Sequence, residues 1–196
     1  MSENLRVKSS QYIDETTRVS FKFNGTTYYG FKGDTLASAL LANNVHLVGR
    51  SFKYHRPRGI MTSGSEEPNA IVQINPNTNR TEPNVRATEV VIYEGMEASS
   101  QNCWPSVNFD IGGINNFLSP FFPAGFYYKT FMWPASFWEK YEYFIRHSAG
   151  LGKSPTLKDP DIYDHRNIHC DVLVVGAGIS GICLLYTSPS PRDVRS

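Results

Sequence analysis

Apolar and polar side chains alternate with a period of two residues near the start of the chain. In residues 18–33, RVSFKFNGTTYYGFKG, bulky β-forming side chains recur on both sides of Asn24-Gly25. That dipeptide suits the two-residue turn of a β-hairpin, in which both central residues take positive φ. The pattern therefore predicts two antiparallel strands joined at Asn24-Gly25.

The period changes in residues 33–45, GDTLASALLANNV. Asp34 is a favourable N-cap residue and Asn43-Asn44 is a suitable stop, so a short helix is predicted between them. The apolar face of this helix is predicted to consist of Leu36, Leu40 and Leu41.

Two later segments, NAIVQI (69–74) and ATEVVIYEG (87–95), are further strand candidates. Two strands, a helix and further strands predict an α+β domain of β-grasp type over residues 17–100. Residues 1–16 are then an N-terminal tail.

Residues 101–150 are rich in aromatic and proline residues and have little clean periodicity. The exception is ASFWEKYEYFIRHSAG (135–150), which predicts a short amphipathic helix ending near Gly150. The segment cannot bury so many rings within itself, so a connector whose aromatic side chains pack on neighbouring domains is favoured over a substrate pocket. Residues 151–169 are predicted to form a polar linker.

Charge and cysteine content narrow the class of protein. Lys and Arg number 19 against 18 Asp and Glu, so no overall field favours nucleic acid or an anionic membrane as a partner. The three cysteines, Cys103, Cys170 and Cys183, suit neither a disulfide framework nor a metal site. The chain has no signal-peptide core and no run of eighteen apolar residues, so a soluble cytoplasmic protein is expected.

The segment CDVLVVGAGISG (170–181) combines a continuous apolar run with a glycine pattern. The run at 172–175 is typical of a strand buried on both faces. Gly176, Gly178 and Gly181 follow with the G-x-G-x-x-G spacing of a dinucleotide-binding turn. The first glycine makes the tight turn, the second lets the backbone approach a pyrophosphate, and the third allows close helix–strand packing. A strand–turn–helix without ligand is the alternative.

The sequence after Cys183, LLYTSPSPRDVRS, does not continue such a unit. Pro189 and Pro191 forbid a helix there, and no second strand or acidic residue for a ribose follows. Residues 170–183 are therefore predicted to be only the start of a dinucleotide-binding domain. The chain is expected to be a fragment with a non-native tail at 184–196 that does not retain a dinucleotide alone.

Three long stretches, 31–74, 82–140 and 170–181, resemble the N-terminal part of the alpha subunits of heterotetrameric sarcosine oxidases. The resemblance implies a ferredoxin-like β-grasp domain without a cluster, an aromatic-rich connector and the truncated first strand–turn–helix of an FAD/NAD-binding Rossmann-type domain. It also implies the activity of the parent enzyme. That enzyme demethylates sarcosine oxidatively to glycine, passes the one-carbon unit to tetrahydrofolate and forms hydrogen peroxide.

The same resemblance implies the cofactors and partners. NAD is expected at Gly176, Gly178, Ser180 and Gly181, with Ser180 as a backbone donor, whereas related proteins hold FAD at this turn. Flavin chemistry and the tetrahydrofolate-binding domain are expected elsewhere in the complex, which includes beta, gamma and delta subunits. No catalytic residue and no metal ligand is expected in this chain, which is predicted to be inactive alone.

The first domain also resembles the iron–sulfur β-grasp domains of opine and glycine-oxidising dehydrogenases. In those relatives the sequence PRG is followed by three cysteines in C-x4-C-x2-C order, and here the corresponding positions are Thr62, Glu67 and Ala70. None of these side chains is a thiolate, so no cluster is predicted.

Two questions are left open by the residues. The basic loop at 50–59, with Lys53, His55, Arg56 and Arg58, is either a solvated connection or a surface that faces a phosphate or another subunit. For the function, the alternatives are a non-catalytic β-grasp module that assembles a dehydrogenase complex, and an iron–sulfur electron carrier, which the missing cysteines disfavour.

Overall fold

The structure is a computed structural model that describes residues 5–6, 12–121, 134–148 and 150–187. The chain divides into two compact units, residues 1–160 and 161–196. Each unit is described by itself.

The first unit contains seven strands and most of the helices of the described residues. The strands are β1 (Asp14–Phe23), β2 (Thr26–Lys32), β3 (Gly49–Arg50), β4 (Pro57–Arg58), β5 (Ile71–Ile74), β6 (Glu82–Arg86) and β7 (Met96–Ser100). The α-helices of this unit are α1 (Leu36–Ala42), α2 (Ile114–Phe117) and α3 (Trp138–Ser148), and short 3-10 turns occupy Ile111–Gly113, Ser119–Phe121 and Ala135–Phe137.

Five of these strands form one mixed sheet in the order β2-β1-β7-β5-β6, and β3 pairs with β4 separately. The first and last strands, β1 and β7, are parallel neighbours, with Phe21 opposite Met96. The other pairs in the sheet are antiparallel. A mixed sheet with one helix packed against it is the α+β arrangement predicted from the sequence.

The predicted hairpin is confirmed. Asn24 and Gly25 have φ of 50° and 80°, and β1 and β2 pair from Phe23 opposite Thr26 outwards. The turn therefore fixes the register of the hairpin from Phe23 back to Arg18, and the register shifts between Arg18 and Asp14.

The predicted first helix is confirmed, but its N-cap residue and the leucines on its buried face differ from the prediction. Thr35 rather than Asp34 is the N-cap, because the Thr35 hydroxyl accepts the N–H of Ser38. Leu41 is 36% exposed, whereas Leu36 and Leu40 are fully buried. At 100° per residue Leu40 lies about 40° from Leu36 around the helix and Leu41 about 140°, so only the first pair shares a face.

The strand predicted at 87–95 is wrong. This segment begins with a turn, and its central backbone groups bond to the start of α1, whereas the amides at its two ends, Ala87 and Gly95, donate to the carbonyls of Ala70 and Ser20. The carbonyls of Ala87 and Val90 accept the N–H groups of Ala37 and Leu36 at 2.8 and 2.9 Å. Because these carbonyls satisfy the free donors at the helix start, they do not form a strand ladder. β6 and β7 flank the segment.

The core lies between the sheet and α1. Its members come from both elements, from the 87–95 segment and from the residues just before β3 and β5: Val19, Phe21, Phe23, Leu36, Ala37, Ala39, Leu40, Val48, Ala70, Val72, Ile74, Ala87, Ile92, Met96 and Ala98. At about 25 cal/mol per Å² of apolar area, this burial is the main favourable contribution to the stability of the unit.

Later residues of the first unit pack back onto the sheet. The amide of Gly152 donates to the Asn84 side chain at 2.9 Å, and Gln73 exchanges side-chain hydrogen bonds with the backbone of Lys153 at 3.1 and 3.2 Å. The helix predicted at 135–150 is confirmed by α3.

The second unit is described from residue 161 to residue 187. It contains one helix, α4 (Ile179–Thr187), which follows the glycine turn. The strand expected at 172–175 pairs with no other strand in the described part of the chain, and Val172, Leu173 and Val175 are 74–86% exposed. Pro189 and Pro191 lie outside the described residues. None of the described helices is long and apolar enough to cross a bilayer.

Candidate functional site

The glycine turn brings its four predicted residues together ahead of and within the first turn of α4. Gly176 has φ of 98°, a conformation that favours glycine. A Cβ at Gly181 would lie 2.5 Å from the carbonyl oxygen of Gly176, so the third glycine permits the helix to approach the turn. A Cβ at Gly178 would meet no atom within 4 Å, so the second glycine faces open space.

This geometry suits the approach of an anionic ligand to the backbone. α4 begins at Ile179, immediately after Gly178, and Ser180 lies in its first turn. The amide of Ile182 donates to the carbonyl of Gly178 at 3.0 Å, which starts the helical ladder. The N–H groups before Ile182 precede that ladder, and such groups bind phosphates at helix starts.

A second candidate region is the loop between β4 and β5, which encloses the carboxylate of Glu67. The side chain is 1% exposed. Its Oε2 accepts the amides of Met61 and Thr62 at 2.8 and 2.6 Å. Its Oε1 accepts the amides of Asn69 and Ala70 at 2.8 and 3.1 Å. Thr62 and Ala70, which the resemblance to iron–sulfur relatives places at cysteine positions, therefore both donate to the carboxylate of Glu67.

These bonds set the ionisation of Glu67. Burial acts to raise the pKa of the Glu67 carboxyl, but the backbone donors, led by Thr62, outweigh burial and hold the pKa below its ordinary value of 4.5. The loop is also fixed from outside, since Arg86 Nε donates to the carbonyl of Glu67 at 3.3 Å and the Thr88 hydroxyl to that of Gly64 at 2.7 Å.

The basic loop at 50–59 binds residues of the same chain. His55 Nδ1 lies 2.6 Å from Asp110 Oδ2, and because a carboxylate only accepts, this nitrogen carries the proton. Arg56 donates to the Asn116 side chain at 2.9 Å, and Arg50 donates to the carbonyl of Val107 at 2.8 Å. These contacts attach residues 104–116 to the first domain.

Cys103 lies next to this attachment. Burial raises the pKa of the Cys103 thiol, the Asp110 carboxylate raises it further, and Arg50 opposes both effects. A thiol with a raised pKa is a poor nucleophile at neutral pH.

Sequence reasoning missed the roles of Glu67 and Asp110. The sequence comparison shows only that Glu67 stands where the iron–sulfur relatives have a cysteine. A carboxylate followed by small and polar residues can, however, accept the amides of its own loop. Asp110 precedes Ile111-Gly112-Gly113 and accepts the amide of Gly112 at 3.2 Å, which is a capping signal that local sequence contains.

The sheet order, the single packed helix and the β4–β5 loop define a ferredoxin-type α+β domain. Residues 16–103 match the 2Fe-2S iron-sulfur cluster binding domain family. The donor set, however, does not fit a cluster. Such clusters are held by four cysteine thiolates, and the matched region contains only Cys103. The described residues also contain no group of three or more His, Cys, Asp or Glu side chains arranged for a metal ion.

The chain is also similar to much longer curated proteins. The chain is 56% identical over 184 residues to sarcosine oxidase subunit alpha of Rhizobium meliloti (strain 1021), and the match covers 93% of this chain and 18% of that subunit. It is 29% identical to the subunit alpha of Corynebacterium sp. (strain U-96), covering 93% of this chain and 15% of that subunit. The resemblance to sarcosine oxidase alpha subunits is therefore confirmed, and the chain corresponds to their N-terminal part.

Among solved structures, L-proline dehydrogenase from P. horikoshii is similar at 22% sequence identity and a TM-score of 0.37. The match covers 47% of this chain and 17% of that chain.

Proposed function

We propose that this chain provides the N-terminal part of the alpha subunit of a sarcosine oxidase complex. The 56% identity over 184 residues carries the proposal. The complete enzyme demethylates sarcosine oxidatively to glycine, transfers the one-carbon unit to tetrahydrofolate and reduces oxygen to hydrogen peroxide. The chain is inactive by itself and assembles with beta, gamma and delta subunits.

Within that subunit, the glycine turn binds NAD, with FAD as the alternative. The open space at Gly178 supports this assignment because a pyrophosphate needs close approach to the backbone there. Gly176 provides the turn, Gly181 lets the helix come close, and Ser180 contributes a backbone N–H. The exposed apolar residues at 172, 173 and 175 become the first buried strand of the dinucleotide-binding domain when neighbouring strands cover them.

The test is made on the complete complex, with the full-length alpha subunit coexpressed with the other subunits. Nucleotides released by denaturation are quantified for the wild type and for Gly178→Ala. The matched control is Gly113→Ala, because a Cβ at Gly113 also meets no atom within 4 Å. We expect stoichiometric NAD in the wild type and the control, and loss of NAD from Gly178→Ala without loss of assembly.

Each other result has a defined meaning. FAD that is lost from Gly178→Ala but retained in Gly113→Ala assigns the alternative cofactor, because flavin bound elsewhere in the complex is unaffected by this substitution. Unchanged NAD in Gly178→Ala rejects this turn as the pyrophosphate site. A wild-type complex that forms no hydrogen peroxide from sarcosine rejects the proposed activity.

A second function, assembly without catalysis, is favoured by the apolar surface of residues 104–118. Trp104, Phe109, Ile114 and Phe117 are 60–82% exposed there. Exposed apolar side chains at this density are typical of surfaces that contact other protein. A complex that assembles, contains no NAD and loses no FAD in Gly178→Ala supports this function over the first.

A further inference from the structure

Residues 16–103 match a 2Fe-2S cluster binding domain family, and the resemblance to iron–sulfur relatives places their cysteines at positions of the β4–β5 loop. Here that loop is ordered around a carboxylate. Glu67 is the most buried charged group of this loop, and the positions aligned with relatives' cysteines, 62 and 70, both donate backbone N–H groups to it. The loop therefore keeps one central acceptor, although the thiolates are absent.

The hydrogen-bonding capacity of this carboxylate is already used. An ionised carboxylate offers about four lone-pair positions. Oε1 accepts two amides and Oε2 accepts two, with the Thr62 hydroxyl a further donor to Oε2 at 3.3 Å. No lone pair remains for a metal ion, so Glu67 acts in this loop as an acceptor of backbone hydrogen bonds.

A carboxylate and an iron–sulfur cluster carry charge of the same sign, so one can take the place of the other in this loop. A cluster held by cysteine thiolates is anionic, and hydrogen bonds to its sulfur atoms stabilise it. A buried carboxylate presents negative charge to the same kind of donor, and charge-assisted bonds of this type are the strong ones in proteins. One side chain can thus compensate for the loss of the metal without rebuilding the loop.

We infer that the Glu67 carboxylate replaces the iron–sulfur cluster as the anion that organises the β4–β5 loop, so that this domain retains the cluster loop as a metal-free structure. This inference concerns the first unit alone and is independent of the proposed dinucleotide site.

The first arm of the experiment uses the wild-type full-length chain. Protein purified anaerobically is analysed for iron and acid-labile sulfide, and amide hydrogen exchange is measured at Thr62 and Ala70. We expect no stoichiometric iron or sulfide and strong protection of both amides. Stoichiometric iron and sulfide, or rapid exchange of these amides in iron-free protein, would overturn the inference. This arm needs no variant to fold.

The second arm compares Glu67→Gln with Glu66→Gln. Glutamine has the shape of glutamate, but one of its two polar atoms donates, so two of the four loop amides lose their acceptor. Glu66 is the exposed neighbour and serves as the matched control. We expect exchange of the loop amides to accelerate by about tenfold or more in Glu67→Gln and to remain at the wild-type rate in Glu66→Gln. Equal rates in the two variants would contradict the role of the carboxylate.

Discussion

Replacing Asp110 with alanine tests the attachment of the basic loop to the segment that follows β7. The Asp110 side chain is 1% exposed, and it binds His55 Nδ1 at 2.6 Å. Its other oxygen accepts the amides of Trp104 and Gly112 at 3.0 and 3.2 Å. Asp110→Ala removes all three acceptor contacts at once and leaves the mostly buried His55 side chain without this partner.

The expected loss follows from these contacts. A hydrogen bond to a charged acceptor contributes about 1.5–3 kcal/mol, and three donors lose the same carboxylate here, so a loss of about 3 kcal/mol is expected. With a urea dependence of about 2 kcal/mol per M, the unfolding midpoint falls by about 1.5 M. Far-UV circular dichroism in urea measures this midpoint.

The matched control is Asp164→Ala, since Asp164 is 86% exposed and lies 3.7 Å from an equally exposed Arg166. Its midpoint should remain at the wild-type value because exposed ion pairs contribute little. Equal midpoints for Asp110→Ala and Asp164→Ala would refute the reasoning. Asp110→Asn, which keeps an acceptor for the two amides, should recover part of the loss.

Three further outcomes are expected. Gly30→Ala should lower the free energy of unfolding by about 1–3 kcal/mol, because its Cβ would lie 2.6 Å from a buried side chain, whereas Gly113→Ala should not lower it. Iodoacetamide at pH 8 should alkylate exposed Cys170 faster than Cys103, whose pKa is raised; mass spectrometry that finds equal rates would contradict this. The folded-state pKa of Glu67 lies below 4.5, so the ionised carboxylate contributes to the free energy of unfolding above pH 4.5 and this contribution is lost as the pH falls through the folded-state pKa. Unfolding measured between neutral and acid pH should not show this loss of stability in Glu67→Gln.

The parts of the fold that local sequence determines were predictable. Asn24-Gly25 specifies a hairpin because few other dipeptides place two successive residues at positive φ. Asn43 ends α1 by donating its side-chain amide to the carbonyl of Ala39 at 2.8 Å, which is again a local effect.

The parts that depend on distant partners were not predictable. The apolar run at 90–93 predicts burial, but only the folded chain shows that the carbonyls of Ala87 and Val90 face the start of α1. In the candidate sites, the glycine spacing indicated Gly176, Gly178 and Gly181 directly. Glu67 gave no such signal, because its importance comes from the four amides that the loop turns toward it.

The position of β7 has a consequence for synthesis of the protein. The hairpins β1–β2 and β5–β6 are joined in the sheet only through β7, which lies between β1 and β5. Isolated two-stranded hairpins have marginal stability in water. The nascent polypeptide therefore cannot complete this domain until residue 100 has left the ribosome, and a translational pause before that point exposes two unfinished sheet edges to chaperones.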